Sequence, residues 1–356
     1  MHASILPLFG LIENDISVRP FGSGLINNTW KIKHHAQEYI LQRINKTVFK
    51  EPEKIAHNIR ALSNFLKQHS PEYLFVMPVK GIDNKDMVKD LHEDYYRLMP
   101  FIKNSHTIDV VQTPAQAREA AGQFGKFTRL LINFDVQNLE TTIPDFHNLT
   151  LRYNQFEEAL QHGNRARIKQ SSHLINFLSG HKDIVDEFEK IKANPAFKLR
   201  VTHHDTKISN VLFDENDKGL CVIDLDTVMP GYFISDAGDM LRTYLSPVSE
   251  EEKDFSKIEI RNDFFIAIMN GYLDEMNNDL SAEERYHFVY AGKFMIYMQA
   301  VRFLTDYLND DVYYGSKYET HNFIRASNQV VLLQRLIEKE NMLQQMVNEY
   351  NHVVIQ

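Results

Sequence analysis

Two groups of polar side chains lie beside short apolar segments in the second half of the chain. The first group contains His203, Asp205 and Asn210, and the second contains Asp224 and Asp226. Carboxylate and amide oxygens are the ligands that Mg²⁺ prefers in proteins, and a carboxylate can also accept a proton during a reaction. These residue types therefore indicate a metal site, a proton-transfer site or both.

The segment between the two groups has the pattern of a β-hairpin. Val211–Phe213 and Leu220–Ile223 are short β-type runs, and the residues that separate them all favour turns. Asn210 comes directly before the first run and Asp224 directly after the second, so an antiparallel hairpin brings both side chains to its open end. Asp205 lies five residues before Asn210, close enough for its loop to cross the same end. The spacing predicts an amide and two carboxylates around one Mg²⁺ ion.

Two other interpretations fit part of this pattern. Asp and Asn residues next to strands often form turns in which the side chain bonds its own backbone. With His203 and His204 the carboxylates could also bind zinc, although no third histidine follows at ligand spacing and no cysteine contributes. The complete order is H-x-D, four residues, N, a hairpin and then I-D, which protein kinases use for the catalytic base and two metal ligands. The order as a whole favours phosphoryl transfer.

The composition is typical of an ordinary soluble globular protein and by itself names no function. The chain of 356 residues is long enough for a large core, and no apolar run approaches the roughly 18 residues of a membrane span. The N-terminal SILPLFGLI lacks the basic flank and cleavage site of a secretory signal. A single cysteine, Cys221, excludes an intrachain disulfide and favours a reducing cytoplasm. The formal charge of −9 argues against nucleic acid or an anionic membrane as partner, and we expect a cytoplasmic monomer or homodimer.

Apolar patterning predicts a strand-rich region followed by a mostly helical one. Strands are predicted at residues 25–26, 29–32, 39–41, 73–79 and 94–102, and a helix at 51–67, with Pro52 in its first turn. Further helices are predicted at residues 114–131, 151–160, 170–192, 261–276, 282–308 and 323–350. A small sheet followed by a large helical part predicts an α+β fold with two lobes joined near residues 99–102.

Several motifs resemble those of the aminoglycoside phosphotransferase and choline kinase superfamily. They are VTHHDTKISNVLFD, CVIDLDTVMPG and DAGDMLR, and the similarity extends to YILQRIN, ETTIPDFHNLTLRYNQFEEAL and RFLTDYLNDDVYYGSKYETHN. Within the superfamily the resemblance is greatest to the N-acetylhexosamine 1-kinases. It implies a two-lobed protein-kinase-like fold. Residues 1–101 would form a small β-rich N-lobe that binds the nucleotide, and residues 102–356 a large mostly helical C-lobe for catalysis and substrate binding.

The resemblance also implies roles for the polar groups. Asp205 would accept the proton of the attacking hydroxyl, while Asn210 and Asp224 would hold Mg²⁺ on the phosphates of ATP. A carboxylate with an ordinary pKa is already ionised at pH 7, so Asp205 needs no tuned shift for this task. We expect His203 to support the loop rather than to react. Asp226 is either a second neighbour of the metal or a substrate contact.

The segment S-D-A-G-D predicts a loop that ends where a helix begins. Asp236 and Asp239 would then lie at the N-terminus of that helix, where a carboxylate caps backbone N–H groups and favours the helix dipole. Arg242 follows Asp239 by one turn. We therefore expect structural support from Asp239 rather than catalysis, and we expect His204 to point away from the reaction.

The nucleotide side has a glycine-bearing turn and an unusual strand. Glycines let backbone approach phosphate oxygens closely, although a plain hairpin turn has the same pattern. Kinase relatives usually carry a lysine where this chain has Gln42, and the helix at 51–67 offers only Glu51 and Glu53 as partners for such a cation. The resemblance implies that the N-acetylhexosamine 1-kinases share this glutamine, which makes it a trait of the subfamily rather than a loss of activity. Residues 98–101 resemble the hinge whose backbone meets adenine. The expected ATP-binding residues are Gly22, Ser23, Gly24, Thr29, Gln42, Met99 and Phe101.

The acceptor side centres on Arg302, which stands in an apolar helical run. A buried guanidinium needs a partner, and Asp306 at i+4 could provide it. The resemblance instead implies that Arg302 and Tyr313 contact a sugar, since tyrosine offers an apolar face to the ring and a hydroxyl to its edge. Relatives carry a histidine where this chain has Leu25, which leaves the specificity for a 2-acetamido group open.

These observations predict an ATP- and Mg²⁺-dependent kinase that phosphorylates the anomeric hydroxyl of a hexose. N-acetylglucosamine or N-acetylgalactosamine is the expected acceptor, and a neutral hexose is the nearest variant. One alternative is a kinase of the same superfamily that acts on an amino alcohol or an aminoglycoside. Another is a non-catalytic nucleotide or sugar sensor, which the missing strand lysine would suit and the intact Asp205 argues against.

Overall fold

The computed structural model describes residues 2–12, 16–22 and 26–354. The chain divides into two compact units, and each unit is assembled from three segments of sequence. The first unit comprises Met1–His106, Asn133–Pro144 and Leu212–Pro230. The second unit comprises Thr107–Ile132, Asp145–Val211 and Gly231–Gln356. Among the helices of the described part, none combines the length and the apolar character that crossing a membrane would require.

A five-stranded antiparallel sheet dominates the first unit. Its spatial order is β1–β2–β3–β5–β4. The strands are β1 (Ile16–Pro20), β2 (Asn28–His34), β3 (Gln37–Arg43), β4 (Val88–Lys89) and β5 (Tyr95–Pro100). The strands predicted at residues 29–32, 39–41 and 94–102 are therefore confirmed. Nothing in the sequence pattern predicts β1 or β4, because ISVRP and VK are short and lack a run of apolar residues.

The strand predicted at residues 73–79 is wrong. Only Val79 makes a single bridge there, to Leu98. Pro78 has no backbone N–H to donate, which disfavours a ladder at this point. Tyr73 is nevertheless buried, so the apolar character of this segment reports burial rather than strand structure. The predicted strand at 25–26 begins at Leu25, which lies outside the described residues.

One face of the sheet forms the core of the first unit. Ile32, Leu41 and Leu98 pack there against Leu6 and Phe9. These two residues belong to a short 3₁₀ helix that follows α1 (His2–Ile5). Because side chains alternate along a strand, the neighbours of these core residues lie on the opposite face of the sheet.

The helix α2 (Pro52–His69) confirms the prediction for residues 51–67. Proline is tolerated at its first position because that N–H would have no partner inside the helix. Asn58 of α2 donates to the backbone oxygens of Glu140 (2.8 Å) and Val228 (2.9 Å). One buried amide thereby joins the three sequence segments of the first unit.

The predicted hairpin is confirmed. The remaining strands are β6 (Arg200–Thr202), β7 (Val211–Phe213), β8 (Gly219–Val222) and β9 (Met229–Gly231). β7 pairs with β8. In the turn between them, Asp214 N donates to Lys218 O (2.8 Å), and the Asp214 carboxylate accepts from Lys218 N (2.9 Å). The turn residues thus satisfy their own backbone, as the sequence indicates.

Helices form most of the second unit. They are α3 (Pro114–Leu130), α4 (Leu149–His162), α5 (Arg165–Gln170), α6 (Ser172–Gly180), α7 (Asp183–Ala193), α8 (Phe233–Tyr244), α9 (Asn262–Met276), α10 (Ala282–Tyr286), α11 (Phe288–Leu308) and α12 (His321–Val354). Close helix crossings depend on glycine: a Cβ on Gly238 of α8 would overlap the Ala291 carbonyl of α11.

Two predicted helices are each divided in the structure. The helix predicted for 170–192 is divided into α6 and α7, because α6 ends at Gly180, the residue type that most easily leaves a helix. The helix predicted for 282–308 is divided into α10 and α11 at His287. The His287 N–H bonds to the carbonyls of Glu283 (3.2 Å) and Glu284 (3.1 Å), which tightens the last turn of α10.

Candidate active site

Asp205 lies in a loop of the second unit, after β6 and before a 3₁₀ turn that ends at Asn210. Its carboxylate accepts a hydrogen bond from Asn210 Nδ2 (3.0 Å) and forms an ion pair with Lys207 Nζ (3.0 Å). Burial acts to raise the pKa of Asp205, but Lys207, with help from His203 and Asn210, holds this pKa below its ordinary value. The carboxylate is therefore ionised at neutral pH and able to accept a proton.

Two carboxylates of α8 hold the loop that contains Asp205. Asp236 accepts hydrogen bonds from the backbone N–H groups of His203 (3.0 Å) and His204 (2.7 Å). Asp239 accepts one from the N–H of Thr206 (2.8 Å). The loop backbone on both sides of Asp205 is thus fixed by side chains that are themselves buried.

The prediction that Asp236 and Asp239 lie at the start of a helix is confirmed for Asp236, which lies in the first turn of α8. It is wrong for Asp239, because α8 begins at Phe233 and Asp239 therefore lies in the second turn. The carboxylates bond the N–H groups of a distant loop rather than those of their own helix, because that loop has backbone donors without helical partners. An aspartate that caps its own helix and an aspartate that bonds the backbone of a distant loop have the same local sequence pattern.

A network of charged side chains connects α8 with α12. Arg242 pairs with Asp239 (3.0 Å) and with Glu250 (2.7 Å), and Arg325 also bonds Glu250. Burial acts to lower the pKa of Arg242, but Asp239 and Glu250 raise it. Asp236 forms no ion pair with a cation of the described residues, and burial raises its pKa to about 7. The support of the loop therefore combines one neutralised carboxylate with one whose ionisation is costly.

The two histidines of H-H-D occupy different surroundings. His203 is fully buried, with its ring edge-on to Phe124 (5.1 Å between ring centroids) and near Phe127 (6.3 Å). His204 has a φ of 67° and brings Nδ1 to 3.3 Å from Nδ1 of His147. Burial, followed by His204, lowers the pKa of His147 well below its ordinary value. Both rings thus belong to the packing around the loop.

The two expected metal ligands supply hard oxygens that suit Mg²⁺. Asn210 uses its amide N–H group for Asp205, and its Oδ1 accepts no hydrogen bond from the described residues. The Asp224 side chain is 42% exposed, against 2% for Asp226. Asp224 also has a φ of 58°, an uncommon conformation for a residue other than glycine. Each residue separately fits the role of a magnesium ligand.

The described residues contain no cluster of three or more His, Cys, Asp and Glu side chains that could hold a metal ion. The expected magnesium ligands are Asn210 and Asp224, of which only the aspartate belongs to these types. A site made of one amide and one carboxylate therefore does not count as a cluster of this kind.

A polar row crosses the sheet on the face away from the core. Thr29 pairs with Gln42 and Gln42 pairs with Arg97 in the strand register, so the three side chains share one face. Gln42 Nε2 donates to Thr29 Oγ1 (3.4 Å), and Arg97 Nε donates to Gln42 Oε1 (2.8 Å). The row ends at Asp226, which accepts from Arg97 and from Asn27 Nδ2 (2.8 Å). Asp226 is therefore occupied within the first unit.

Three other expected ATP-binding residues lie in the described part of the first unit: Gly22, Met99 and Phe101. Gly22 has a φ of 79°, which glycine adopts easily. Ser23 and Gly24 lie outside the described residues. Met99 pairs with Ile40 in the register and is half-buried. Phe101 N donates to the backbone of β3, and its ring lies 3.4 Å from Lys31 Nζ.

A cavity of about 410 Å³ in the second unit contains both residues expected to bind the acceptor, Arg302 and Tyr313. Arg302 is only 9% exposed, and its guanidinium makes no ion pair or hydrogen bond within the described residues. It lies near the rings of Phe146 (5.8 Å), Tyr313 (5.9 Å) and Tyr314 (5.4 Å) instead. Arg152 lines the same cavity, and burial, followed by Arg302, lowers its pKa.

The expectation that Asp306 pairs with Arg302 is not what the structure shows. Asp306 accepts hydrogen bonds from the backbone N–H groups of Tyr313 (2.7 Å) and Tyr314 (2.9 Å), and from Asn322 Nδ2 (3.1 Å). Tyr313 and Tyr314 lie in the loop between α11 and α12, and Asn322 lies in the first turn of α12, so the Asp306 carboxylate is engaged by this loop and by α12. Asp306 therefore shapes the loop that presents Tyr313, and Arg302 retains an uncompensated charge.

Three residues of these clusters do not appear among the expected site residues. Lys207 has a signal in the sequence, because D-x-K-x-x-N adds a cation within reach of the base. Arg97 is a lone charge in the strand Y-Y-R-L-M, and only the strand register reveals its contact with Gln42. Arg152 lies on α4 with no distinguishing pattern, and the fold alone brings it to the cavity.

The sequence profile of the phosphotransferase enzyme family matches residues 17–256 of this chain, more than half of its length. The chain belongs to this family. Three solved structures show the same fold over nearly the whole chain. One is a microcompartment-associated aminopropanol kinase, with a TM-score of 0.65, 13% identity, and 96% of this chain and 98% of that chain covered.

The second is a spectinomycin phosphotransferase in complex with ADP and spectinomycin, with a TM-score of 0.57, 15% identity, and 95% and 97% of the two chains covered. The third is a choline kinase from Cryptosporidium parvum, with a TM-score of 0.56, 14% identity, and 96% and 94% covered. The α+β, protein-kinase-like fold class is confirmed, as is the aminoglycoside phosphotransferase and choline kinase superfamily. By its family the protein is a phosphotransferase.

Proposed function

We propose that this protein transfers the γ-phosphoryl group of ATP to the anomeric hydroxyl of a hexose, and that an N-acetylhexosamine is its acceptor. The observation that carries the proposal is the Asp205 loop. Its carboxylate is kept ionised by Lys207 and Asn210, and its backbone is fixed by α8. A chain of the phosphotransferase family that retains this arrangement has the base that the reaction requires.

Asp205 orients the acceptor hydroxyl and takes its proton as the new O–P bond forms. The bond between the γ-phosphorus and the bridging oxygen breaks, and its electron pair leaves with ADP. Because the transition state of phosphoryl transfer is loose, alignment and charge neutralisation contribute more than covalent help. The ammonium group of Lys207, 3.0 Å from Asp205, is placed to neutralise charge near the acceptor oxygen.

We propose Asn210 and Asp224 as the ligands of Mg²⁺. When bound, this ion neutralises charge on the phosphate oxygens of ATP and orients them. The free Oδ1 of Asn210 and the exposed carboxylate of Asp224 support the assignment. The nucleotide would lie on residues 1–101, with Gly22, Ser23, Gly24 and Thr29 at its phosphates and Met99 and Phe101 at adenine. Gln42, which lies on the same face of the sheet as Thr29, would also lie at the nucleotide.

The acceptor cavity supports a neutral, hydroxyl-rich substrate. Arg302 can donate several hydrogen bonds to sugar oxygens, and the exposed ring of Tyr313 can pack on a pyranose face. A cationic acceptor such as choline would meet the guanidiniums of Arg302 and Arg152, neither of which forms an ion pair within the described residues, although the carboxylate of Glu158 lines the same cavity. The residue at position 25 is leucine rather than histidine, so the acetamido group must be recognised by other contacts if it is recognised at all.

ADP release with Mg-ATP tests the proposal against a panel of N-acetylglucosamine, N-acetylgalactosamine, glucose, galactose, aminopropanol, choline and spectinomycin. We expect turnover with an N-acetylhexosamine and a product whose phosphate is on the anomeric carbon by NMR. Asp205→Asn should lower kcat by about 10²- to 10⁴-fold, the usual contribution of a positioned base. Turnover only with amino alcohols would contradict the sugar assignment. Near-normal turnover by Asp205→Asn would contradict the role of the base.

A further inference from the structure

Related kinases usually carry a lysine at position 42. In this chain that position is Gln42, and another cation lies next to it. Gln42 of β3 faces Arg97 of β5 in the strand register, and Arg97 Nε donates to Gln42 Oε1 (2.8 Å). Directly paired residues of an antiparallel sheet project from the same face. The positive charge is therefore still present on this face of the sheet, displaced by one strand.

Arg97 connects Gln42 to the loop that contains Asp224. The arginine is 2% exposed and bonds Asp226, which is equally buried. Its Nη2 lies 3.9 Å from Asp224 Oδ1. A guanidinium has five N–H groups, and those of Nη2 donate no hydrogen bond within the described residues. Donors thus remain on the side of Arg97 that is nearest the exposed carboxylate.

The carboxylate partner has also changed. The glutamates at the start of α2 are engaged elsewhere: Glu51 pairs with Lys54 (2.7 Å), and Glu53 bonds the hydroxyl of Tyr95. Asp226 takes their place as the partner of the sheet cation. Since Asp226 also accepts from Asn27 (2.8 Å), it links Arg97 to the segment that follows the glycine turn.

We propose that Arg97, paired with Asp226 and positioned by Gln42, binds the phosphate oxygens of the nucleotide in place of the strand lysine of related kinases. The inference rests on the proposed function, since it assumes that this face of the sheet binds ATP. Arginine suits the task because its planar fork can hold one carboxylate and still present N–H groups to a phosphate. The polar row Thr29–Gln42–Arg97 then serves as one phosphate-facing surface.

Calorimetric titration with adenosine, ADP and the non-hydrolysable Mg-AMP-PNP tests the inference without an acceptor. The variant is Arg97→Met combined with Asp226→Asn, so that no unpaired charge remains buried. Affinity for ADP and AMP-PNP should fall by about 10- to 100-fold, the loss of one charge-assisted hydrogen bond. Affinity for adenosine should be unchanged. Arg43→Met is the matched control, because Arg43 is adjacent to Gln42 but lies on the other face and bonds Asn28.

A second variant tests the inference by moving the positive charge from position 97 to position 42. Gln42→Lys, added to the double variant, returns the charge to the strand position of the relatives and should restore most of the affinity for ADP. Equal weakening of adenosine and ADP, or no weakening of either, would overturn the role of Arg97 while leaving the kinase proposal intact. Failure of the unaltered protein to bind any of the three ligands would overturn both.

Discussion

Two buried arginines, one in each unit, differ in how their charge is balanced. Arg97 of the first unit is 2% exposed and bonds the equally buried Asp226. Arg302 of the second unit is 9% exposed and has no carboxylate within ion-pair distance in the described part of the chain. Aromatic rings of Phe146, Tyr313 and Tyr314 surround it instead. The first charge is neutralised within the protein, whereas the second is not.

The contrast distinguishes an arginine that stabilises the fold, Arg97, from an arginine that is available to bind a ligand, Arg302. Removing one member of a buried ion pair leaves the other charge without compensation, which is costly. Removing an unpaired buried charge carries no such penalty, so a guanidinium kept without a partner indicates a partner supplied from outside. Arg97 should therefore affect stability and nucleotide binding together, while Arg302 should affect acceptor binding alone.

The largest effect is expected from Asp226→Asn. This change leaves the Arg97 guanidinium buried, with Asp224 at 3.9 Å as its nearest carboxylate. Loss of one partner of a buried pair typically costs about 3–5 kcal/mol in the free energy of unfolding. Chemical denaturation monitored by circular dichroism measures this directly, and a clearly lower midpoint is the expected outcome.

Asp224→Asn is the matched control, because Asp224 lies two residues away but is 42% exposed, and its Oδ1 is 3.9 Å from Arg97 Nη2. Its free energy of unfolding should stay close to that of the unaltered protein. Adding Arg97→Met to Asp226→Asn should recover much of the lost stability. If Asp226→Asn and Asp224→Asn unfold at the same denaturant concentration, the buried pair contributes little and the contrast with Arg302 disappears.

The sequence predicts those parts of the molecule whose determinants are local. The β7–β8 hairpin follows from turn residues that bond their own backbone, and the ends of α2 follow from Pro52 and an apolar face. The prediction of a strand at residues 73–79 is wrong, because apolar residues beside Pro78 are buried without forming a ladder. The apolar content of a segment predicts its burial more reliably than it predicts its secondary structure.

The candidate site is predicted only as far as its residues lie close in sequence. Asp205, Lys207 and Asn210 share one short loop, and their contacts follow from spacing. The support from α8 is misread as a helix cap, since the partners of Asp236 lie more than 30 residues away. Arg97 becomes recognisable only from strand register, which no single segment of sequence contains.

Glu250 pairs with two other arginines of the second unit, Arg242 and Arg325. It therefore provides a comparison with Arg302, which has no carboxylate partner in the described residues. Burial acts to raise the pKa of Glu250, but Arg242 and Arg325 lower it to about 2, from an ordinary value of 4.5. The folded state therefore holds fewer protons than the unfolded state between these values. The resulting stabilisation, on the order of 3 kcal/mol, is present above pH 4.5 and is lost as the pH falls towards 2.

Denaturation of Glu250→Gln at pH 6 and pH 3 measures this contribution. The variant should be less stable than the unaltered protein at pH 6, and the difference should shrink at pH 3. Glu349→Gln, an exposed glutamate on α12, is the control and should show no such convergence. A stability difference that does not change with pH would mean that the two arginines do not depend on the charge of Glu250.

The smallest change in free energy is expected from Arg302→Met, and it should appear in binding rather than in stability. No carboxylate loses its partner, because Asp306 is engaged with Tyr313 and Tyr314. The free energy of unfolding should therefore stay the same or increase. KM for the acceptor should rise by about 10- to 100-fold, which corresponds to one or two lost hydrogen bonds from a charged donor. KM for ATP should not change.

Arg302→Lys sharpens the result, since it keeps the charge but loses the planar fork of donors. If Arg302 serves to hold a sugar by several directed hydrogen bonds, the lysine variant should resemble the methionine variant in its acceptor KM. If charge alone matters, lysine should behave almost as arginine does, and the acceptor would then be expected to carry an anionic group. A loss of stability in Arg302→Met comparable to that of Asp226→Asn would place both arginines in the same structural class. The absence of a carboxylate beside Arg302 would then say nothing about a ligand.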